Sequence, residues 1–307
     1  MGPNERKAVL DRWMSRSSPA EDDRMERAER MVRAAIDAHP AFVDYRGSIK
    51  VYPKGSYANR TNVRADSDVD VVVENQDLYY YEYFPRSDAP TPDPNAIPYR
   101  GRWDDEDDWR SEVLAALQNA YGPAHVDTSG KVAITIDEVP GSRPSTDVVP
   151  SFEFRRFDSP DRRAPHVGSR VFSTDGKAID NFPEQQRVNG IAKDGCTRGR
   201  YKKYVRALKS AENFLADDGQ IEGLPSYFME CLVWNVPDSI INRGLELADG
   251  FHAVLGYLLV NLHADDFDSE KWEEPNGLKW LFRGEKKWTP EDGLFLAFRT
   301  LKHLGYV

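Results

Sequence analysis

Cysteine is nearly missing from this chain: Cys196 and Cys231 are the two in 307 residues. They form no Cys-x-x-Cys pair, which removes a disulfide framework and the common structural zinc and dithiol redox motifs. Long apolar runs are missing as well. Val254 to Leu262 is the nearest to one, but Gly256 interrupts it and His263 follows, so it falls short of the roughly 18 residues that a membrane helix needs. No membrane association is expected. Positive charge is in deficit, with 41 Lys and Arg against 51 Asp and Glu and a net charge of −10. That balance disfavours a protein whose main task is to coat nucleic acid, because backbone phosphates are gripped through a surplus of cations. Any basic site must be local. Internal repeats and low-complexity tracts are absent too, and the opening residues lack a secretory pattern, which makes a reducing cytoplasm the expected setting.

What is present is length enough for two lobes and a sizeable core, arranged in a readable order. Ser18-Pro19-Ala20-Glu21 has the form of a capping box with proline at the first helical position. Met25, Ala28, Met31, Val32, Ala35 and Ile36 then recur at helical spacing, predicting a helix from about Pro19 to Ala38. The period changes at Ile49 and Val51, a strand that Pro53-Lys54-Gly55-Ser56 turns. A second strand is centred on Asp68-Val69-Asp70-Val71-Val72-Val73. Five prolines between Phe84 and Trp103 (Pro85, Pro90, Pro92, Pro94 and Pro98) forbid regular structure there and predict a flap or surface insertion. Trp109, Val113, Leu114, Leu117 and Tyr121 mark an amphipathic helix that Gly122-Pro123 stops. Lys131 to Asp137 and Ser145 to Phe154 predict a hairpin across Pro140-Gly141. Residues 155 to 200, rich in Arg, Pro, Gly and Asp, predict a crossover between lobes. Beyond them the chain reads as helical, with a stripe from Tyr201 through Tyr204, Val205, Leu208 and Ala211 to Leu215, and helices over Tyr227 to Val236 and Ile240 to Leu262.

The chemistry concentrates in the second strand. Side chains alternate faces, so Asp68 and Asp70 point the same way with Cα atoms about 7 Å apart. Two carboxylates so close repel each other, and a divalent cation is the usual remedy; a strand edge carrying two solvated aspartates is the alternative. Gly55-Ser56 sits at a strand-to-helix turn whose backbone N–H groups and hydroxyl suit phosphate oxygens. Asp147 offers a third acid, and three carboxylates can hold two magnesium ions about 4 Å apart. Lys202, Arg206 and Lys209 share one helical face, either a local basic strip suited to phosphates or solvated surface charges.

Gly55-Ser56-Tyr57, then Thr61, then Ser67-Asp68-Val69-Asp70-Val71-Val72-Val73 resembles the Gly-Ser to Asp-x-Asp signature of polymerase-β-like nucleotidyltransferases. Asp147-Val148-Val149-Pro150 resembles the third-acid segment of the CD-NTases, bacterial relatives of the animal cyclic GMP-AMP synthase and of the oligoadenylate synthases. Asn189-Gly190, Lys193, Arg206, Lys209 and the run from Pro225 to Val233 are similar to the helical lobe of that group. The resemblance spans roughly Tyr52 to Pro237.

It implies an α+β fold: a nucleotidyltransferase lobe with a mixed sheet over residues 1–180, including the N-terminal helix, and an α-helical lobe over 181–307 that closes a nucleotide cleft. Asp68, Asp70 and Asp147 would be the catalytic acids and the ligands of two Mg²⁺ ions, with Mn²⁺ as a substitute and Asp147 as general base. Gly55, Ser56, Lys209 and Ser226 would contact the triphosphate, and Tyr227 would stack on a base. The implied activity joins nucleoside triphosphates into a cyclic dinucleotide or short cyclic oligonucleotide, a messenger in antiphage signalling read by an effector that binds the product. A template-independent transferase acting on an RNA, small-molecule or protein acceptor is the competing function; the acidic balance disfavours RNA. A catalytically dead scaffold is the third reading, and the presence of all three acids argues against it. With neither a zinc-ligand cluster nor a long basic stretch, no nucleic acid activator is indicated.

Overall fold

A computed structural model describes the chain apart from residues 17–20, 64–67, 84–98, 100, 104, 159–163, 264–266 and 285. In chain order its first half carries α1 (Pro3–Met14), α2 (Glu21–Ala38), β1 (Ile49–Pro53), the short α3 (Gly55–Ala58), β2 (Val69–Tyr83), α4 (Glu106–Tyr121), β3 (Val126–Asp127), β4 (Ile134–Ile136) and β5 (Thr146–Phe157). β6 (His166–Phe172) and β7 (Ala178–Asn181) complete the sheet. They are followed by α5 (Pro183–Cys196), α6 (Arg200–Asp217), α7 (Ser226–Trp234), α8 (Asp238–Ile241), α9 (Leu247–Leu262) and α10 (Pro290–His303). None of the described helices is long and apolar enough to cross a membrane.

The chain divides into two compact units, one of Ala20–Ala58 with Asp66–Pro183 and one of Met1–Pro19, Asn59–Ala65 and Glu184–Val307. In the first, the strands run in the order β1-β2-β5-β4-β3, with β6 on the outer half of β5 and β7 beyond it. β2 and β5 are parallel and every other pair is antiparallel, so the sheet is mixed and the fold α+β, as expected. Parity explains its two faces. Val69, Val71 and Val73 of β2 and Val148 and Phe152 of β5 are buried in one cluster with Ala28, Val32 and Ile36 of α2 and Trp109, Val113 and Leu117 of α4. Each fully buried Val or Leu contributes about 1.5–3 kcal/mol. The residues between them, Asp70 and Asp147 among them, necessarily face the other way. One face makes the core and the other carries the chemistry.

In the second unit α6 is the central helix. Tyr201, Tyr204, Val205, Leu208, Ala211 and Leu215 form its buried stripe, packed with Leu10, Trp13 and Met14 of α1, Phe228 and Leu232 of α7, and Leu255 and Leu258 of α9. Against a single cut at residue 180, residues 181–183 stay with the sheet unit and two further segments join the helical one. Residues 1–19 join the helical unit because α1 buries its apolar residues there. Residues 59–65 join it because Arg206 donates to the Arg60 carbonyl at 2.9 Å and Lys209 to the Thr61 hydroxyl at 3.2 Å.

The passage from one unit to the other falls after Pro183, within the stretch from 155 to 200, but the described residues there are more ordered than expected, and two further expectations are corrected. The stretch holds the end of β5, all of β6 and β7, and α5. Its charged residues hid the strands because they pair across them: Arg170 and Asp180 are registered partners on β6 and β7 joined by two hydrogen bonds of 2.6 and 2.9 Å. The helix expected over Ile240 to Leu262 is two, α8 and α9, parted where Gly244 takes φ +74° and where an added Cβ would meet that of Asp249 at 2.5 Å. The strand expected from Lys131 is ordered as a strand only over Ile134–Ile136. The Ser18–Glu21 capping box and most of the Pro-rich segment before Trp103 lie outside the described residues.

Candidate active site

The site grows from the end of β1. Beyond Pro53, Lys54 donates its backbone N–H to the carbonyl of Asp70 at 2.9 Å, extending the ladder one step before the chain turns. Gly55 makes the turn with φ +70°, and a Cβ at this position would lie 2.2 Å from Oδ2 of Asp70. Only glycine lets the backbone pass so close to that carboxylate. α3 follows at once, with Ser56 half-buried and Tyr57 buried in the sheet unit's core.

Asp70 on β2 is registered opposite Asp147 on β5, and Asp147 opposite Thr135 on β4. The Thr135 hydroxyl donates to Oδ1 of Asp147 at 2.6 Å. Asp68 stands exposed just before β2. These groups act on one another electrostatically, with both signs. Burial pushes the Asp147 carboxyl up from its usual range, the Thr135 hydrogen bond pulls it down, Asp68 pushes it up and Lys54 pulls it down. Burial pushes the Lys54 ammonium down while Asp70 and Asp147 pull it up.

The described residues hold no ready-made cage of three or more His, Cys, Asp or Glu side chains. The donor chemistry nonetheless fits Mg²⁺. Asp70 and Asp147 offer oxygen ligands from adjacent strands, and Asp68 adds a like charge that a hard cation would relieve.

Gly55, Asp68, Asp70 and Asp147 are thus gathered in the sheet unit, with Ser56 beside Gly55. Lys209, Ser226 and Tyr227 belong to the helical unit. There the expected strip of surface cations is not what forms: Arg206 and Lys209 are 7% and 2% exposed, and Lys202 is half-buried. The Lys209 ammonium donates to Thr61 at 3.2 Å and lies 4.0 Å from the Glu230 carboxylate. Glu230 also accepts from Thr61 at 3.3 Å and from Gln186 at 2.9 Å. A helical face counted from one sequence does not show that neighbouring helices cover it. Ser226 is exposed at the first turn of α7. Tyr227 is half-buried, its hydroxyl donating to Glu274 at 3.2 Å and its ring edge-on to Trp288 with centroids 6.4 Å apart.

Sequence reasoning gave no role to Lys54 or Thr135, and placed Thr61 and Glu230 in family-like segments without joining them. Parity could have found the first two: Lys50, Tyr52 and Lys54 alternate with the apolar Ile49 and Val51, and Thr135 sits between Ile134 and Ile136. Thr61 and Glu230 meet only through the tertiary fold.

The chain is similar to several known proteins. Residues 188–305 match the model of the cGAS/DncV-like nucleotidyltransferase C-terminal helical domain. The chain is 32% identical over 286 residues to the cyclic dipyrimidine nucleotide synthase CdnE of Cecembia lonarensis, covering 92% of each. It is 34% identical over 279 residues to the protein of the same name from Legionella pneumophila, covering 90% of each. Among solved structures it is similar to the Elizabethkingia meningoseptica CdnE cyclic dinucleotide synthase with GTP and Apcpp, at a TM-score of 0.79 and 28% identity over the whole of both chains.

Proposed function

We propose, since this chain belongs to the CD-NTase family of cGAS/DncV-like nucleotidyltransferases, that it joins nucleoside triphosphates into a cyclic dinucleotide or short cyclic oligonucleotide and releases pyrophosphate at each transfer. The observation that carries the reading is the close approach of the Gly55 turn to Asp70, itself registered beside Asp147. It brings a phosphate-binding turn and the acids into one place. The relatives named as cyclic nucleotide synthases favour ring closure over transfer to a large acceptor.

In this reading Asp68, Asp70 and Asp147 would hold two Mg²⁺ ions, for which Mn²⁺ would substitute. Bound there, the ions would lower the pKa of an attacking hydroxyl and neutralise the leaving pyrophosphate. The protein's own groups do the rest. Backbone N–H groups of the Gly55-Ser56 turn and the Ser56 hydroxyl orient the triphosphate. Asp147, with one oxygen held by Thr135 and its carboxyl pushed upward by burial, takes the proton from the ribose hydroxyl of one nucleotide as that oxygen bonds to the α-phosphorus of the other. The bond from that phosphorus to the bridging oxygen breaks, and pyrophosphate leaves. A second transfer by the same acids, on the remaining triphosphate of the linear intermediate, closes the ring. In a cell the product would serve antiphage signalling through an effector that binds it.

The test is incubation with Mg²⁺ or Mn²⁺ and ATP, GTP, CTP and UTP in pairs, without nucleic acid. Closure removes the last phosphomonoester, so the expected product survives a phosphatase that degrades the substrates and any linear intermediate, and mass spectrometry gives its ring size. Products that stay phosphatase-sensitive, or transfer that appears only when an RNA or other acceptor is added, would replace ring closure with acceptor modification.

Lys209 provides a second check. If its ammonium is recruited to the triphosphate from its present partners Thr61 and Glu230, Lys209→Met weakens nucleotide binding by about 1.5 to 3 kcal/mol, the scale of hydrogen bonds to charged groups. The same change leaves the buried Glu230 carboxylate without its cation, so the melting temperature falls as well. Titration calorimetry on the folded variant separates the two effects, and unchanged nucleotide affinity would confine Lys209 to a structural role.

A further inference from the structure

Four residues lie in one row across the sheet. Asp70 of β2 is registered with Asp147 of β5, and Asp147 with Thr135 of β4. On the opposite flank Lys54 stands one step past the last registered pair of β1 and β2, Pro53 with Val71, and donates its backbone N–H to the Asp70 carbonyl at 2.9 Å. Residues opposite one another across a ladder share a face, and the neighbours obey the same parity. Tyr52, two residues before Lys54, donates its hydroxyl to Glu74, four residues after Asp70, at 2.8 Å. Lys54 therefore belongs to the face that carries both acids, and its ammonium interacts electrostatically with each of them. Asp68 acts on Asp147 from the start of β2. The row's remaining member, Thr135, contributes a neutral hydrogen bond and no charge.

We infer that Lys54 is a positioning residue for the acidic cluster: its ammonium holds the Asp70 and Asp147 carboxylates side by side while no divalent cation is bound, and it lowers the cluster's affinity for such a cation. The inference rests on the reading of Asp68, Asp70 and Asp147 as cation ligands. Its physics is reciprocal. Neighbouring carboxylates removed from water repel each other, and a desolvated ammonium needs an anionic partner. Each relieves the other, so the acids can be in place before any cation arrives. An arriving divalent ion then meets a site that already holds a positive charge. A nucleoside triphosphate adds several negative charges to the same place and offsets that opposition. Cation occupancy would accordingly follow nucleotide binding rather than precede it.

Mn²⁺ binding to the nucleotide-free protein, read from the electron paramagnetic resonance of free Mn²⁺, tests this together with melting curves in EDTA and in Mn²⁺. Lys54→Met should bind Mn²⁺ at least about tenfold more tightly than the wild type, since a unit positive charge that acts on both acids is lost. It should also melt earlier in EDTA and gain more from added Mn²⁺. Lys54→Arg, which keeps the charge, should stay near the wild type in both. If Lys54→Met folds only with Mn²⁺, that behaviour supports the inference, and Lys54→Gln carries the same expectation of tighter binding. Unchanged or weaker Mn²⁺ affinity in the charge-removing variants overturns it. The two levels separate cleanly: a wild type whose Mn²⁺ binding is unaffected by Asp70→Asn overturns the ligand reading and this inference with it. A wild type that binds through Asp70, while Lys54→Met changes nothing, overturns the role of Lys54 alone.

Discussion

Replacing Asp68 and Asp70 together by Asn removes nucleotidyl transfer by about a thousandfold or more, while the folded protein survives. The activity loss follows from charge. If the cations supply several kcal/mol of transition-state stabilisation, losing two of the three anionic ligands forfeits it, at roughly tenfold in rate for each 1.4 kcal/mol. Survival of the fold follows from the same electrostatics. In the wild type Asp70 and Asp147 share the ammonium of Lys54 while Asp68 pushes on Asp147; in the double variant Asp147 has that ammonium to itself and the push from Asp68 is gone. The sign of the pH effect agrees. Burial and Asp68 hold the Asp147 carboxyl above its usual range, so between the unfolded and folded pKa values the native state binds more protons than the unfolded one, and stability is lost as pH rises through that window. At neutral pH this contribution is therefore unfavourable, and removing Asp68 reduces it. In EDTA at neutral pH the double variant should melt at or above the wild-type temperature. Transfer near the wild-type rate would end the assignment of these acids, and an early melt would show that they hold the fold as well.

How far the sequence carried depended on whether a signal was local. The Gly55-Ser56 turn, the valine strand with its acids and the strand bearing Asp147 are each written in a few consecutive residues, because β-branched alternation and a glycine with positive φ are local demands. β6 and β7 were illegible for the opposite reason. A registered Arg170–Asp180 pair with two hydrogen bonds satisfies charges that, read along the chain, resemble a loop. The basic face of α6 misled in the same way, since Arg206 and Lys209 are engaged by Met14 of α1 and by Arg60 and Thr61, which lie far from them in sequence. Lys54 shows the boundary most sharply. Its parity was available in the sequence, but its place in one row with Asp70 and Asp147 required the register of three strands.

Gly55→Ala should cost the enzyme about a hundredfold or more in transfer rate and only about 1–2 kcal/mol in stability. Two separate penalties meet at this residue. A left-handed φ of +70° disfavours any side chain by roughly 1–2 kcal/mol, which a folded chain of this size can absorb. The new methyl would also stand 2.2 Å from Oδ2 and 3.1 Å from Cγ of Asp70, and the carboxylate is the part that can rotate away. The fold is thus spared at the expense of Asp70's position, and misplacing a reacting group by about 1 Å can lower a rate a hundredfold. Gly199→Ala isolates the backbone penalty, because Gly199 has φ +74° and nothing within 4 Å of an added Cβ. That variant should lose similar stability and keep its activity. Urea titrations and initial rates on the two variants, side by side, decide the matter. Wild-type transfer by Gly55→Ala, or an equal loss in Gly199→Ala, would remove the contact between Gly55 and Asp70 from the chemistry of the site.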